Sequence, residues 1–177
     1  MNLPHFLDFE ASGLHPDSYP IEVAWSLPDG RIETRLIQPH EDWTHWDANA
    51  EAMHGISRGE LTGYGRPIAE VATAMNAALA GCTVYTDAVD YDRFWAGALF
   101  SYADAKPTFD FADIQMLFTH LRLPHDTRYE LERLSFQRAP RPLHRAGNDV
   151  RRLQIWYELA VGAERANAKG KRGPTYD

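Results

Sequence analysis

Apolar and polar residues alternate from Ile21 to Leu27 and again from Arg31 to Ile37, the period-two pattern of a half-buried strand. Pro28-Asp29-Gly30 between them supplies a tight turn, so the two runs predict an antiparallel hairpin. Leu3 to Phe9 is short and apolar and reads as a strand preceding the hairpin. Cys82 to Thr86, β-branched and aromatic, reads as a later one. The period then lengthens. Ile68, Val71, Ala72, Met75, Ala78 and Leu79 recur at helical spacing between Pro67, where a helix can start, and Gly81, where one can stop. Asp90 is placed to cap a helix through Phe94, Trp95 and Leu99, and Asp113 to cap another through Met116, Leu117 and Leu121. Tyr129 to Phe136 reads as a shorter helix. Pro140 and Pro142 break the chain, and a long amphipathic helix follows from Ala146 to Ala166 with Val150, Leu153, Tyr157 and Val161 on one stripe.

Strands first, then helices interleaved with strands, predict an α/β fold. The expected architecture is a central mixed sheet, three antiparallel strands followed by parallel additions, flanked by helices. Residues 1–167 are expected to form one domain and residues 168–177 a basic, disordered tail. Trp25, Trp156 and Phe94 are expected in the core, Trp43 and Trp46 packed over the sheet, and Cys82 as a buried inert thiol.

Composition adds exclusions. A single cysteine among 177 residues rules out an internal disulfide and a cysteine-based zinc site. No apolar run approaches the ~20 residues that span a bilayer. Met1 to His5 lacks a basic stretch leading into an apolar one, so a cytoplasmic protein with no membrane partner is expected. The net charge of −7 argues against a protein that coats nucleic acid through a basic face. It does not argue against a carboxylate-lined cation site acting on a phosphodiester, because bound cations cancel local negative charge.

Three groups of residues could carry chemistry. Asp8 and Glu10 lie two apart on the first strand, so both side chains leave the same face. Two carboxylates there repel each other and lose hydration, which a divalent cation would offset. Oxygen-only ligands favour Mg²⁺ or Mn²⁺. Read alone, the pair is also what an acidic strand end reaching solvent looks like. His144 and Asp149 flank the start of the last helix. Five residues of regular helix would turn them about 140° apart, so they converge only if His144 lies in the preceding loop, which Pro142 and Gly147 permit. An imidazole there could serve as general base, since it titrates near neutrality. Asp87, Asp90 and Asp92 surround one helix start, where capping explains one or two of them; their spacing does not say which is functional.

The order of these groups resembles the DEDD exonuclease superfamily, specifically the DnaQ-like members with a histidine in the third motif. The first motif, Asp-x-Glu-x-x-Gly-Leu, is matched in full by Asp8-Phe9-Glu10-Ala11-Ser12-Gly13-Leu14. The second is reduced to Asp92 and the aromatic Tyr91 before it, with Asp87 as rival. His144, Ala146 and Asp149 match the third, and His54-Gly55-Ile56 repeats a further family feature. The resemblance implies a ribonuclease H-like fold and a 3′–5′ exonuclease acting on single-stranded DNA or RNA. It further implies two divalent ions, Mg²⁺ or Mn²⁺, bound by Asp8, Glu10, Asp92 and Asp149, with His144 as the base. Ala11, Gly13, Leu14 and His54 would touch the terminal nucleotide. A homodimer is compatible with the sequence, and Lys169, Lys171 and Arg172 read as a solvated tail. Two other readings use the same residues: a non-catalytic nucleic-acid- or partner-binding domain, and a metal-dependent nucleotide phosphohydrolase.

Overall fold

The hairpin forms where the alternation places it: β2 (Pro20–Ser26) pairs antiparallel with β3 (Ile32–Leu36), with Trp25 opposite Glu33. β1 (His5–Ala11) lies antiparallel on the other side of β2, Phe9 opposite Val23 and Glu10 opposite Glu22. The computed structural model describes residues 3–121 and 123–170. Beyond the hairpin come α1 (Ala48–His54), α2 (Arg58–Tyr64), α3 (Ile68–Leu79), β4 (Thr83–Thr86) and α4 (Val89–Tyr102). β5 (Asp110–Asp113), α5 (Gln115–His120), α6 (His125–Arg138) and α7 (Ala146–Gly170) complete the described chain. β4 is parallel to both β1 and β5, giving the sheet order β3-β2-β1-β4-β5. The mixed sheet, three antiparallel strands and then parallel ones, is the predicted architecture.

Two apolar layers sandwich the sheet. Leu7, Phe9, Val23 and Trp25 pack with Val71, Met75, Trp95 and Leu99 from α3 and α4 on one face. On the other, Phe6 and Ala24 pack with Val150, Leu153 and Trp156 from α7 and with Phe118 from α5. β2 is therefore buried along its whole length, not on one face as its alternation predicts. The covering helix α7 removes from water even its polar positions Glu22 and Ser26. Trp25 and Trp156 are core as expected, and Trp43 stacks on Tyr19 at 5.0 Å.

Several local expectations are corrected. Phe94 is 43% exposed, because α4 turns its Trp95, Leu99 and Phe100 side to the sheet. Asp90 does not cap α4: the N-cap is Ala88 and Asp90 lies in the first turn. Asp113, the last residue of β5, does cap in effect, accepting the Gln115 N–H at 2.7 Å. The helix expected from Tyr129 to Phe136 extends over His125–Arg138. Cys82 is only half-buried. α7 runs to Gly170, past the expected domain boundary at 167; the rest of the expected tail, residues 171–177, lies outside the described residues. Among the described residues no helix is long and apolar enough to cross a membrane.

Candidate active site

The site is built where β1 outruns its parallel neighbour. β4 pairs with β1 only at His5 and Phe6, then leaves the sheet at Thr86 to enter α4. The Phe9 N–H is thereby left for Asp92 of α4, whose Oδ1 accepts it at 3.1 Å. Its other carboxylate oxygen accepts the Thr86 hydroxyl. Asp92 is 1% exposed and held by the two bonds against β1 and the end of β4. Crevices at the carboxyl ends of parallel strands, where the chain diverges to either side, are where ligands bind in open α/β sheets.

Asp8 and Glu10 project from β1 on the same side as Phe6, toward α7, as their spacing requires. α7 is docked onto that side by Glu22, the register partner of Glu10. The Glu22 carboxylate accepts the Ala146 N–H at 2.9 Å and two Arg145 N–H bonds at 2.8 and 3.2 Å. The first turn of the helix is thus fixed over the strand by a buried acceptor at its positive end. Gly147 in that turn permits the approach: a Cβ there would lie 2.8 Å from the Thr34 hydroxyl. His144 sits in the loop before α7, as convergence with Asp149 requires, and holds a left-handed conformation with φ +59°. Ligand atoms of Glu10, His144 and Asp149 all lie within 4.8 Å of one another, near enough to share one cation.

All four acidic residues predicted for the site, with His144, line one cavity of about 380 Å³. So do Ala11, Gly13, Leu14 and His54, each expected from the sequence to meet a terminal nucleotide. Gly13 takes φ +150°, and a side chain there would meet His45 Cε1 at 2.7 Å, so the turn carrying Leu14 has no room for a larger residue. Leu14 is 70% exposed at the rim. His54 is buried; its Nδ1 accepts the Ile56 N–H at 3.0 Å, which puts the ring proton on Nε2. That Nε2 has no hydrogen-bond partner among the described residues. Burial keeps the ring's pKa below its ordinary value, so it is a neutral donor in the cavity wall.

Asp87, the rival to Asp92, lines the same cavity, and its Oδ2 accepts from Arg152 Nη2 at 2.5 Å. Glu22, Thr86 and Arg152 were not identified by sequence reasoning. Glu22 leaves no trace, since it falls on the polar side of the alternation in β2. Arg152 leaves none either, since Arg151-Arg152 reads as a solvated helix face.

Electrostatically the cavity is short of positive charge. Burial raises the Asp8 pKa well above the usual range, and repulsion from Asp92, Glu10, Asp149 and Asp87 adds to it. Burial, then Asp149 and Glu22, push Glu10 up to about 8. Burial takes Asp92 to about 7, against the Thr86 and Phe9 hydrogen bonds that favour its ionised form. Burial raises Asp149 too, with Arg152 opposing. Desolvated carboxylates with too little counter-charge beside them, and with oxygen donors on a common wall, fit a hard divalent cation such as Mg²⁺ or Mn²⁺. Without cations the folded protein retains protons that the unfolded chain, with carboxyl pKa values near ~4, has released. Stability is therefore fully present below about pH 4 and is lost as pH rises through 7 and 8. The metal-free protein is expected to melt on the order of 5–10 °C lower at pH 8 than at pH 5.5, and saturating Mn²⁺ to remove most of that difference. Melting curves in EDTA and in Mn²⁺ at both pH values check it.

No family model matches the sequence, and no curated protein matches it. Solved structures do match the fold. E. coli Exonuclease I in complex with a dA16 oligonucleotide superposes with TM-score 0.70 at 18% identity, over 96% of this chain and 43% of that one. The zinc-bound E. coli ExoI–ssDNA complex gives 0.66 at 19%, over 95% and 41%. Exonuclease I from Methylocaldum szegediense gives 0.66 at 19%, over 96% and 43%. The chain has the ribonuclease H-like fold of these exonucleases and spans about 43% of the length of the first of them.

Proposed function

We propose that this chain is a metal-dependent 3′–5′ exonuclease that releases nucleoside 5′-monophosphates from the 3′ end of a single-stranded nucleic acid. The observation that carries the reading is the meeting of Glu10, His144 and Asp149, with half-buried Asp8 and buried Asp92 in the same cavity and exposed Leu14 at its rim. The fold likeness to exonucleases solved with single-stranded DNA supports DNA as the first substrate to test, with RNA beside it.

Asp8, Glu10, Asp92 and Asp149 would hold two divalent ions, Mg²⁺ or Mn²⁺. When bound, these ions supply charge neutralisation at the scissile phosphate, activation of water and stabilisation of the departing 3′ oxygen. The chain's own groups divide the remaining work. His144, mounted on a loop beside Glu10 and Asp149, accepts the proton of the attacking water at a ring nitrogen. His54 Nε2–H offers a fixed donor to an oxygen of the terminal nucleotide. Leu14 wedges against the terminal base and separates it from its neighbour. Phe9 N–H and the Thr86 hydroxyl keep Asp92 in one orientation, which spares the site that reorganisation during reaction.

The test is the product ladder from 3′-blocked and 5′-blocked DNA and RNA strands, with and without Mn²⁺. Strands with a free 3′ end are expected to shorten one nucleotide at a time and only with metal, while 3′-blocked strands persist. Mononucleotides from 3′-blocked strands would reject the polarity. Faster hydrolysis of free nucleotides than of strands would assign a phosphohydrolase, and binding without cleavage would leave a nucleic-acid-binding domain.

A further inference from the structure

A positive side chain sits at the base of this carboxylate cavity. Arg152, three residues beyond Asp149 on α7, is 3% exposed. Its Nη2 donates to Asp87 Oδ2 at 2.5 Å, and its Nε lies 3.6 Å from Asp149 Oδ1. Its guanidinium carbon lies 4.4 Å from the centroid of the Phe136 ring. Its Nε and Nη1 have no hydrogen-bond partner among the described residues. A buried guanidinium so incompletely paired is costly unless the surrounding negative field compensates. Here that field exists: Asp87 and Asp149 both add to the repulsion on Asp8, and Asp87 adds to that on Asp92. Asp87 is therefore a fifth carboxylate at the edge of the cluster, and Arg152 is the charge that faces it.

We propose that Arg152 is a resident counter-cation, a positioning residue that withdraws Asp87 from the ligand set and steadies the Asp149 carboxylate through Oδ1. The proposal rests on reading the cavity as a divalent-cation site. Two effects follow from the same charge. In the metal-free protein, Arg152 offsets part of the repulsion among the carboxylates and supports the fold. In the loaded protein, its positive charge opposes the incoming cation and weakens affinity. Asp87 cancels that second effect in part, so the pair is close to neutral as the cation sees it.

The test is calorimetric titration of Mn²⁺ into the full chain and three variants, with melting curves in EDTA. Arg152→Met is expected to tighten Mn²⁺ binding roughly tenfold and to lower the metal-free melting temperature. Asp87→Asn leaves the guanidinium charge uncancelled and is expected to loosen binding by about the same factor. The double variant is expected to return to within about threefold of wild type, because both charges are gone. If Arg152→Met does not fold in EDTA, Asp87→Asn and the double variant decide. A double variant as weak as Asp87→Asn would make Asp87 a cation ligand and overturn the proposal. Unchanged or weaker binding in Arg152→Met would overturn it too, leaving a packing role. These failures, with wild-type binding intact, leave the exonuclease reading standing; a wild type that takes up no Mn²⁺ removes both.

Discussion

Replacing Asp8 by Asn is expected to lower metal-dependent cleavage by at least ~10³-fold, about 4 kcal/mol of transition-state stabilisation, while raising the melting temperature of the metal-free protein. Both effects come from one placement. Asp8 is deep in the sheet, between Phe6 and Glu10 on the side covered by α7. Its carboxyl is desolvated and faces Asp92, Glu10, Asp149 and Asp87. An Asn of the same shape keeps the packing and is neutral at every pH, so the cost of holding a proton or a charge on a desolvated carboxyl at this position disappears. A gain on the order of 1–2 kcal/mol corresponds to about 2–8 °C for a chain of this size. The proposed cation-binding set would lose one carboxylate, so the rise in melting temperature on adding Mn²⁺ should shrink together with turnover. Melting curves in EDTA and Mn²⁺, run beside the product ladder, read both quantities on one sample. Wild-type turnover in the variant would remove Asp8 from the mechanism. A large fall in metal-free stability would show that the carboxylate is structural.

Which parts of the candidate site were legible in the sequence follows from the elements that carry them. Asp8 and Glu10 were readable because strand geometry fixes their common face whatever packs on it. His144 and Asp149 were readable as a conditional, convergence requiring a helix start after His144, and α7 does begin at Ala146. The hairpin, α3 and α7 follow from apolar period alone. What the sequence could not show depends on which element lands on which. Glu22 looks like the polar side of a half-buried strand, and only the arrival of α7 turns it into the buried anchor of Arg145 and Ala146. The different surroundings of Asp87 and Asp92 are invisible in a run of acids, and those of Asp92 are set by the fold. They depend on β4 ending at Thr86 and freeing the Phe9 N–H. α1 and α2 are seven residues each, too short for a period to emerge. They are held by Asp47 and Ser57 accepting the N–H groups of Asn49 and Glu60. Phe94 was misplaced for a related reason: consecutive aromatics at 94 and 95 do not reveal which one faces the sheet.

Replacing His144 by Gly is expected to separate activity from stability in the opposite sense to most substitutions. His144 is exposed and holds φ +59°, a left-handed conformation that costs a residue with a Cβ roughly 1 kcal/mol and costs glycine nothing. Glycine relieves that strain, but it also enlarges the conformational freedom of the unfolded chain, by an amount of similar size. The two nearly cancel, so the melting temperature in EDTA should stay within about 3 °C of wild type. The loop should still deliver Asp149, because Asn148 Nδ2 donates to the Pro142 carbonyl at 2.7 Å and Glu22 holds the helix start. Activity should nevertheless fall by roughly 10²–10⁴-fold, the usual contribution of a positioned proton acceptor. The loss should appear in kcat with little change in KM, since an imidazole that acts on the water adds nothing to ground-state binding of the strand. Proximity to Glu10 and Asp149 gives His144 a second possible role, as a cation ligand. Mn²⁺ titration of the same variant tells the two apart. Affinity within a few fold of wild type, with kcat lost, assigns the proton transfer; affinity lost in parallel with kcat assigns ligation and sinks the general-base assignment.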